Sequence, residues 1–169
     1  MPLSVRNGRF MNIDILCVGK LKETYLKAAI DEYSKRLSRY CRLNITEVAD
    51  EKTTDGQSEA LDIKVKELEG ERLLKHLRDD SYVITLEIDG KQLASEDLAA
   101  RLEDLGVHGV SRIQFVIGGS LGLSDEVIKR ADMHLSFSRM TFPHQLMRVI
   151  LLEQIYRSYR IINNEPYHK

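Results

Sequence analysis

Hydrophobic and polar positions along the chain fall into two rhythms that take turns. Residues 13–18 (IDILCV) form a nearly continuous apolar run closed by Gly19, the pattern of a strand buried on both faces. From residue 22 to residue 40, Leu26, Ala29, Ile30, Tyr33 and Leu37 recur at helical spacing with lysines and arginines on the opposite face. Residues 43–48 alternate apolar and polar side chains, predicting a second strand. Residues 50–57 are polar, contain Gly56 and read as a loop, after which Ser58 caps a long charged helix reaching about Arg78. Leu61, Val65, Leu68, Leu73 and Leu77 form its expected inner face, with Gly70 as its weak point.

The second half repeats the alternation more regularly. Strands are predicted over residues 82–88, 113–117 and 133–137, and helices over 96–105 and 125–131, with Ser95 and Ser124 as N-caps. A last helix starts after Pro143 and reaches about Ile162. Strands alternating with helices predict an α/β fold, a parallel sheet flanked by helices. No repeat or Pro/Gly linker interrupts the order, so residues 11–169 read as one domain, and residues 1–10 as an N-terminal extension outside it. A length of 169 residues with 43% hydrophobic content suits one core. Cys17 and Cys41 lack CxxC spacing and read as packing residues of a reduced, cytoplasmic protein. No apolar run approaches the roughly 20 residues that cross a bilayer, so no membrane partner is expected.

Net charge is -1, which excludes a uniformly basic coat for gripping nucleic acid. The distribution is uneven. Residues 1–42 carry nine Lys/Arg against four acids, residues 43–138 eleven against twenty, and residues 139–169 five against two. An RNA partner could be met by the two basic ends if the fold joins them, the alternative being a merely solvated face.

Two segments carry candidate chemistry. In FVIGGSLGLS, residues 115–124, Gly118 and Gly119 follow an apolar strand and Gly122 precedes a helix cap, so a ligand can approach the backbone closely. The GGxxG spacing is neither the dinucleotide fingerprint nor a phosphate loop. In LSFSRMTFPHQLMR, residues 135–148, a strand end runs into irregular chain, the place where open α/β sheets hold ligands. Phe137, Met140 and Phe142 offer apolar walls, and Ser138, Thr141 and the backbone offer hydrogen bonds suited to an adenine and a thioether. Arg148 falls among Leu152, Ile155, Tyr159 and Ile162 on the last helix, where its charge needs an acid such as Glu153 of another chain, a substrate phosphate or an exit to water. The breadth of that helix's apolar surface predicts a homodimer. Tyr167, His168 and Lys169 close the chain with a base-stacking aromatic, a titratable ring and a cation. His144 and His168 are the histidines near the expected pocket, and none has metal-ligand spacing, so no metal is expected.

FVIGGSLGL, LSFSRMTFPHQLMRVILLEQIYRSYRI and EPYHK together resemble the RlmH family of ribosomal RNA methyltransferases, as do VGKLKETY and TLEIDGK, over essentially residues 11–169. The resemblance implies a SPOUT α/β methyltransferase fold with a C-terminal trefoil knot, S-adenosyl-L-methionine as cofactor, and methylation of N3 of a pseudouridine in 23S ribosomal RNA on the assembled ribosome. It also implies a homodimer with the C-terminal tail near the cofactor. By position, the cofactor contacts would be Leu86, Gly118 and Phe137, Ser138, Arg139, Met140, Thr141 and Phe142, with Gly119 beside them. For the acceptor nitrogen, His168 or His144 could act as base, and Arg148 or Lys169 could stabilise the developing anion, with Tyr167 holding the RNA. The alternative is a non-catalytic ribosome or RNA-binding module with the same fold.

Overall fold

A computed structural model describes residues 10–167. In chain order the elements are β1 (Met11–Val18), α1 (Thr24–Leu37), β2 (Cys41–Val48), α2 (Glu59–Leu74), β3 (Tyr82–Gln92), α3 (Ser95–Val107), β4 (Arg112–Ile117), α4 (Asp125–Arg130), β5 (Met133–Ser136) and α5 (His144–Ile162). The five strands form one sheet in the order β2-β1-β4-β3-β5, and every neighbouring pair is parallel.

The apolar run of β1 serves both sheet faces, because successive side chains point in opposite directions. Ile13, Ile15 and Cys17 join Phe115, Ile84, Leu102, Leu151 and Ile155 in a core under α1, α3 and α5. Leu16 and Val18 join Val48, Val83, Val116, Leu73 and Val127 in a smaller core under α2 and α4. The parallel sheet is therefore covered on both sides, as the alternation predicted. Asp14 is the polar exception within β1. It is buried but accepts from Arg112 Nη1 at 2.8 Å and from Gln114 Nε2 at 2.9 Å, so its charge is matched.

Local details depart from the sequence reading where a tertiary neighbour decides. The second helix stops at Leu74 rather than Arg78, and Leu61 points to solvent at 55% exposure while Glu69 is buried. Gly70 is a contact point: a Cβ there would run into the Ser124 side chain of the α4 cap, so the glycine lets α2 lie close against α4. Ser124 and Ser58 do cap their helices, accepting from Val127 N and Leu61 N. Ser95 does not. Ala94 occupies the cap position, and the Ser95 hydroxyl instead donates to Gln154 Oε1 at 2.8 Å, tying α3 to α5.

The main surprise is β3, which runs past Ile88 to Gln92. Leu86 and Lys91 both lie opposite Leu135 of β5, so residues 87–90 are pushed out of the ladder as a bulge. Gly90 makes this possible, since a Cβ there would stand 2.8 Å from the Leu135 carbonyl carbon and 2.9 Å from that of His134. Finally, α1 packs against α5, which brings the two basic ends of the chain together. At their junction the Arg36 guanidinium lies 5.3 Å from the Tyr33 ring and 5.6 Å from the Tyr156 ring.

Candidate active site

The C-terminal ends of β3, β4 and β5 open onto a cavity of about 730 Å³, the size range of small-molecule sites. Three segments and Ile128 of α4 wall it: residues 86–89 of β3 and its bulge, residues 117–123 from the end of β4, and residues 135–138 with 140–144 and Met147 from β5 to the start of α5. Both loops singled out in the sequence therefore meet at one place. Leu86, assigned through the family resemblance alone, lines it as well.

The loop after β4 is a tight hook. Gly119 and Gly122 form an antiparallel bridge, with Gly122 N donating to the Gly119 carbonyl at 3.1 Å, and Gly122 adopts φ 91°. A Cβ on Gly118 would lie 2.8 Å from the Gly122 carbonyl carbon. Gly119 lines the cavity with its backbone, and the space on its Cβ side is taken. Its Cβ would stand 3.1 Å from Val18 Cγ1 and from Glu69 Oε1, a carboxyl whose pKa burial raises. Gly118 and Gly119 thus present backbone to the cavity, since a Cβ on either would crowd its neighbours.

The loop after β5 holds itself by short bonds: Ser136 Oγ donates to the Ser138 carbonyl at 3.1 Å, and Ser138 Oγ accepts from Met140 N at 2.9 Å. Phe137 packs toward the core, whereas Met140 is 73% exposed and Phe142 36% exposed beside Thr141. Arg139 is exposed and is not among the residues lining the cavity.

Arg148 needs a correction. Its partner is Glu47 of β2 in the same chain, with Nη1 donating to Glu47 Oε2 at 2.7 Å, while Nη2 donates to the carbonyls of Val18 at 3.1 Å and Gly19 at 2.7 Å. Glu153, the acid expected from a second chain, pairs instead with Arg157 one turn along α5. With 2% of its surface exposed, Arg148 clamps the end of β1 and is not presented to a substrate. Its charge is still felt at His144, one helical turn away on the cavity wall. There burial first, and Arg148 second, push the imidazole pKa below 6.5, with Asp50 opposing.

Tyr167 lies elsewhere. Its ring packs 4.9 Å from Tyr156 and 4.8 Å from the Arg157 guanidinium. Tyr156 is twelve residues beyond His144, about 18 Å along the helix, so one chain does not bring its own Tyr167 to its own cavity. His168 and Lys169 lie outside the described residues. Among the described residues no group of histidine, cysteine and acidic side chains is placed to hold a metal, and no helix is long and apolar enough to cross a membrane.

Sequence reasoning missed Glu87 and Asp89, which line the cavity from the β3 bulge. The signal was present as EIDG, a polar break at the end of an apolar strand, but its register depends on β5.

A parallel sheet with a glycine hook and an irregular loop at its C-terminal edge defines an α/β domain with a ligand-sized cavity, and the family described as predicted SPOUT methyltransferase matches residues 11–168. The chain belongs to that family. The protein called ribosomal RNA large subunit methyltransferase H in Bifidobacterium animalis subsp. lactis is 65% identical over 159 residues, which is 94% of this chain and 100% of the relative. Its namesakes in Clostridium novyi and Clostridium tetani are 64% and 60% identical over the same shares. Among solved structures, a probable methylase family protein from Haemophilus influenzae Rd KW20 superposes with a TM-score of 0.55 at 17% identity, covering 94% of this chain and 71% of that one, which supports the fold. The resemblance read from the motifs is borne out.

Proposed function

We propose that the chain transfers a methyl group from S-adenosyl-L-methionine to N3 of a pseudouridine in 23S ribosomal RNA, on the assembled ribosome and in the cytoplasm. The observation that carries this reading is the convergence of Leu86, the Gly118 hook and the Phe137 to Phe142 loop on one cavity, within a chain whose close relatives are named for ribosomal RNA methylation. The residues fit the cofactor. Apolar walls suit an adenine and a thioether, and a backbone that tolerates no Cβ suits close approach. When bound, S-adenosylmethionine supplies a methyl group on a sulfonium, open to displacement by a nitrogen. The protein's task is then alignment and handling of the N3 proton. Calorimetric titration should show S-adenosylmethionine binding and no binding of ATP or NAD. The reverse pattern would point to a nucleotide protein.

Among the described residues our candidate to take that proton is His144, which lines the cavity. Because its pKa lies below 6.5, the imidazole stays neutral, and so able to accept a proton, further into acid than a free histidine. The acid limb of kcat/KM should therefore fall below pH 6.5 and vanish in His144→Ala. A limb unchanged in that variant would move the role to another group, His168 first.

The acceptor-holding role stays with Tyr167, His168 and Lys169, acting from a second protomer. Support comes from the length of α5 between cavity and tail, and from apolar side chains left exposed at one end of the molecule: Tyr25, Met140, Phe142 and Leu146. Light scattering should show a dimer at micromolar concentration, and a fully active monomer would contradict it. The C-terminal knot implied by the resemblance belongs to the same reading, its support being the family match across β4, β5 and α5.

A further inference from the structure

The cavity wall has a charge pattern that its role as a methyl-donor site does not by itself require. Glu87 and Asp89 line it, and among the described lining residues there is neither a lysine nor an arginine. The nearest buried cation, Arg148, is matched by Glu47. His144, which also lines the cavity, is held toward its neutral form, chiefly by burial.

Glu87 is not a mobile surface acid. Its side chain is 18% exposed, and Oε2 accepts from two fixed donors, the hydroxyl of fully buried Thr85 at 2.5 Å and the ring Nδ1 of His134 at 2.5 Å. A carboxylate can only accept, so Nδ1 carries the proton whether or not the ring is charged. The bulge at residues 87–90, made possible by Gly90 against the β5 backbone, carries this acid and Asp89 out of the ladder to the cavity.

We propose that Glu87 and Asp89 make the cavity prefer the positively charged methyl donor to the neutral product, so that loss of the cofactor's charge during transfer promotes product release. The inference rests on the S-adenosylmethionine reading above. In the transfer, the deprotonated acceptor nitrogen bonds the methyl carbon, and the carbon–sulfur bond breaks with its electron pair going to sulfur. S-adenosylmethionine, with a sulfonium, an ammonium and a carboxylate, thereby becomes S-adenosylhomocysteine, which has no net charge. Two carboxylates on a wall whose described lining holds neither lysine nor arginine attract the first more than the second, and the partial burial of Glu87 weakens screening. A wall of this kind selects by charge lost at the reacting centre, not by shape, since donor and product differ by one methyl group.

The test is calorimetric titration of the whole protein at about pH 8, where ordinary imidazoles are neutral. The probes are S-adenosylmethionine, S-adenosylhomocysteine and an analogue bearing a protonated amine in place of the sulfonium. The wild type should bind both cations about tenfold more tightly than the thioether, a difference of roughly 1.4 kcal/mol. In the Glu87→Gln, Asp89→Asn double variant that ratio should fall to within about twofold of unity, through weaker binding of the cations. Asp89→Asn alone changes an exposed side chain, so it keeps the fold intact and should lower the ratio partway. Equal binding of donor and product by the wild type, or a ratio unmoved in either variant, overturns the inference while leaving the cofactor reading in place. Binding of none of the three by the wild type overturns both.

Discussion

Gly118→Val is expected to leave a folded protein with no useful affinity for S-adenosylmethionine. The added Cβ would stand 2.8 Å from the Gly122 carbonyl carbon, 2.9 Å from its oxygen and 3.1 Å from Leu123 Cδ2. Two of these are backbone atoms, which cannot rotate aside as a side chain can. The hook from residue 118 to residue 122 must open, and its backbone groups leave the positions from which they face the cavity. A loss of about a hundredfold or more is expected, equivalent to roughly 2.7 kcal/mol. The sheet beneath should survive, because Ile117, Phe115 and Ile113 pack from strand positions that the hook does not occupy. Calorimetry together with thermal unfolding checks both halves. Gly118→Ala should fail in the same direction, since the clash begins at Cβ. A folded Gly118→Val protein that binds at wild-type strength would place the cofactor elsewhere.

Arg148→Met should instead strike the fold. The guanidinium donates to Glu47 and to the Val18 and Gly19 carbonyls from a site that is 2% exposed, and the change leaves the two carbonyls and one carboxylate without these donors. Glu47 keeps 36% of its side chain in water and still accepts from Leu21 N at 2.6 Å, so part of its loss is recovered by hydration. A destabilisation of about 3 kcal/mol follows, or a fall of roughly 10 °C in Tm for a chain of this length. Arg148→Lys should recover little, because a single ammonium does not span an acid and two carbonyls. Had Arg148 been a substrate contact, as its place on the helical wheel allowed, the protein would keep its Tm and lose only substrate affinity. Unchanged thermal stability in Arg148→Met would restore that role.

These two residues also show where legibility ended. The apolar runs at 13–18 and 113–117 and the helical spacing of α5 were strong enough to place the strands, the parallel sheet and the last helix, which begins at His144 and ends at Ile162 as expected. Both cavity loops were recognisable because glycine and irregular chain at a strand's end leave a local trace. Arg148 lies 101 residues from Glu47 in sequence, and no periodicity links an edge strand to a terminal helix. The β3 bulge was hidden for the same reason. TLEIDGK looks like a strand that simply ends, and only the approach of β5 to Gly90 shows that it resumes at Lys91. On the expected inner face of α2, Val65 and Leu73 are buried and only Leu61 is exposed; the burial of Glu69 and Gly70 was not legible because its reasons lie on other elements, the Glu51 amide, Gly119 and the Ser124 cap. Leu86 came from family resemblance alone, and its place on the cavity wall depends on the sheet order β4-β3-β5.

The most direct test of the central claim is to incubate the protein with methyl-labelled S-adenosylmethionine and ribosomes that lack the modification, then digest the RNA and locate the label by mass spectrometry. Close to one methyl group per large subunit is expected, on N3 of a pseudouridine in 23S ribosomal RNA. Label on another base, or none on RNA from a protein that binds the cofactor, would contradict it.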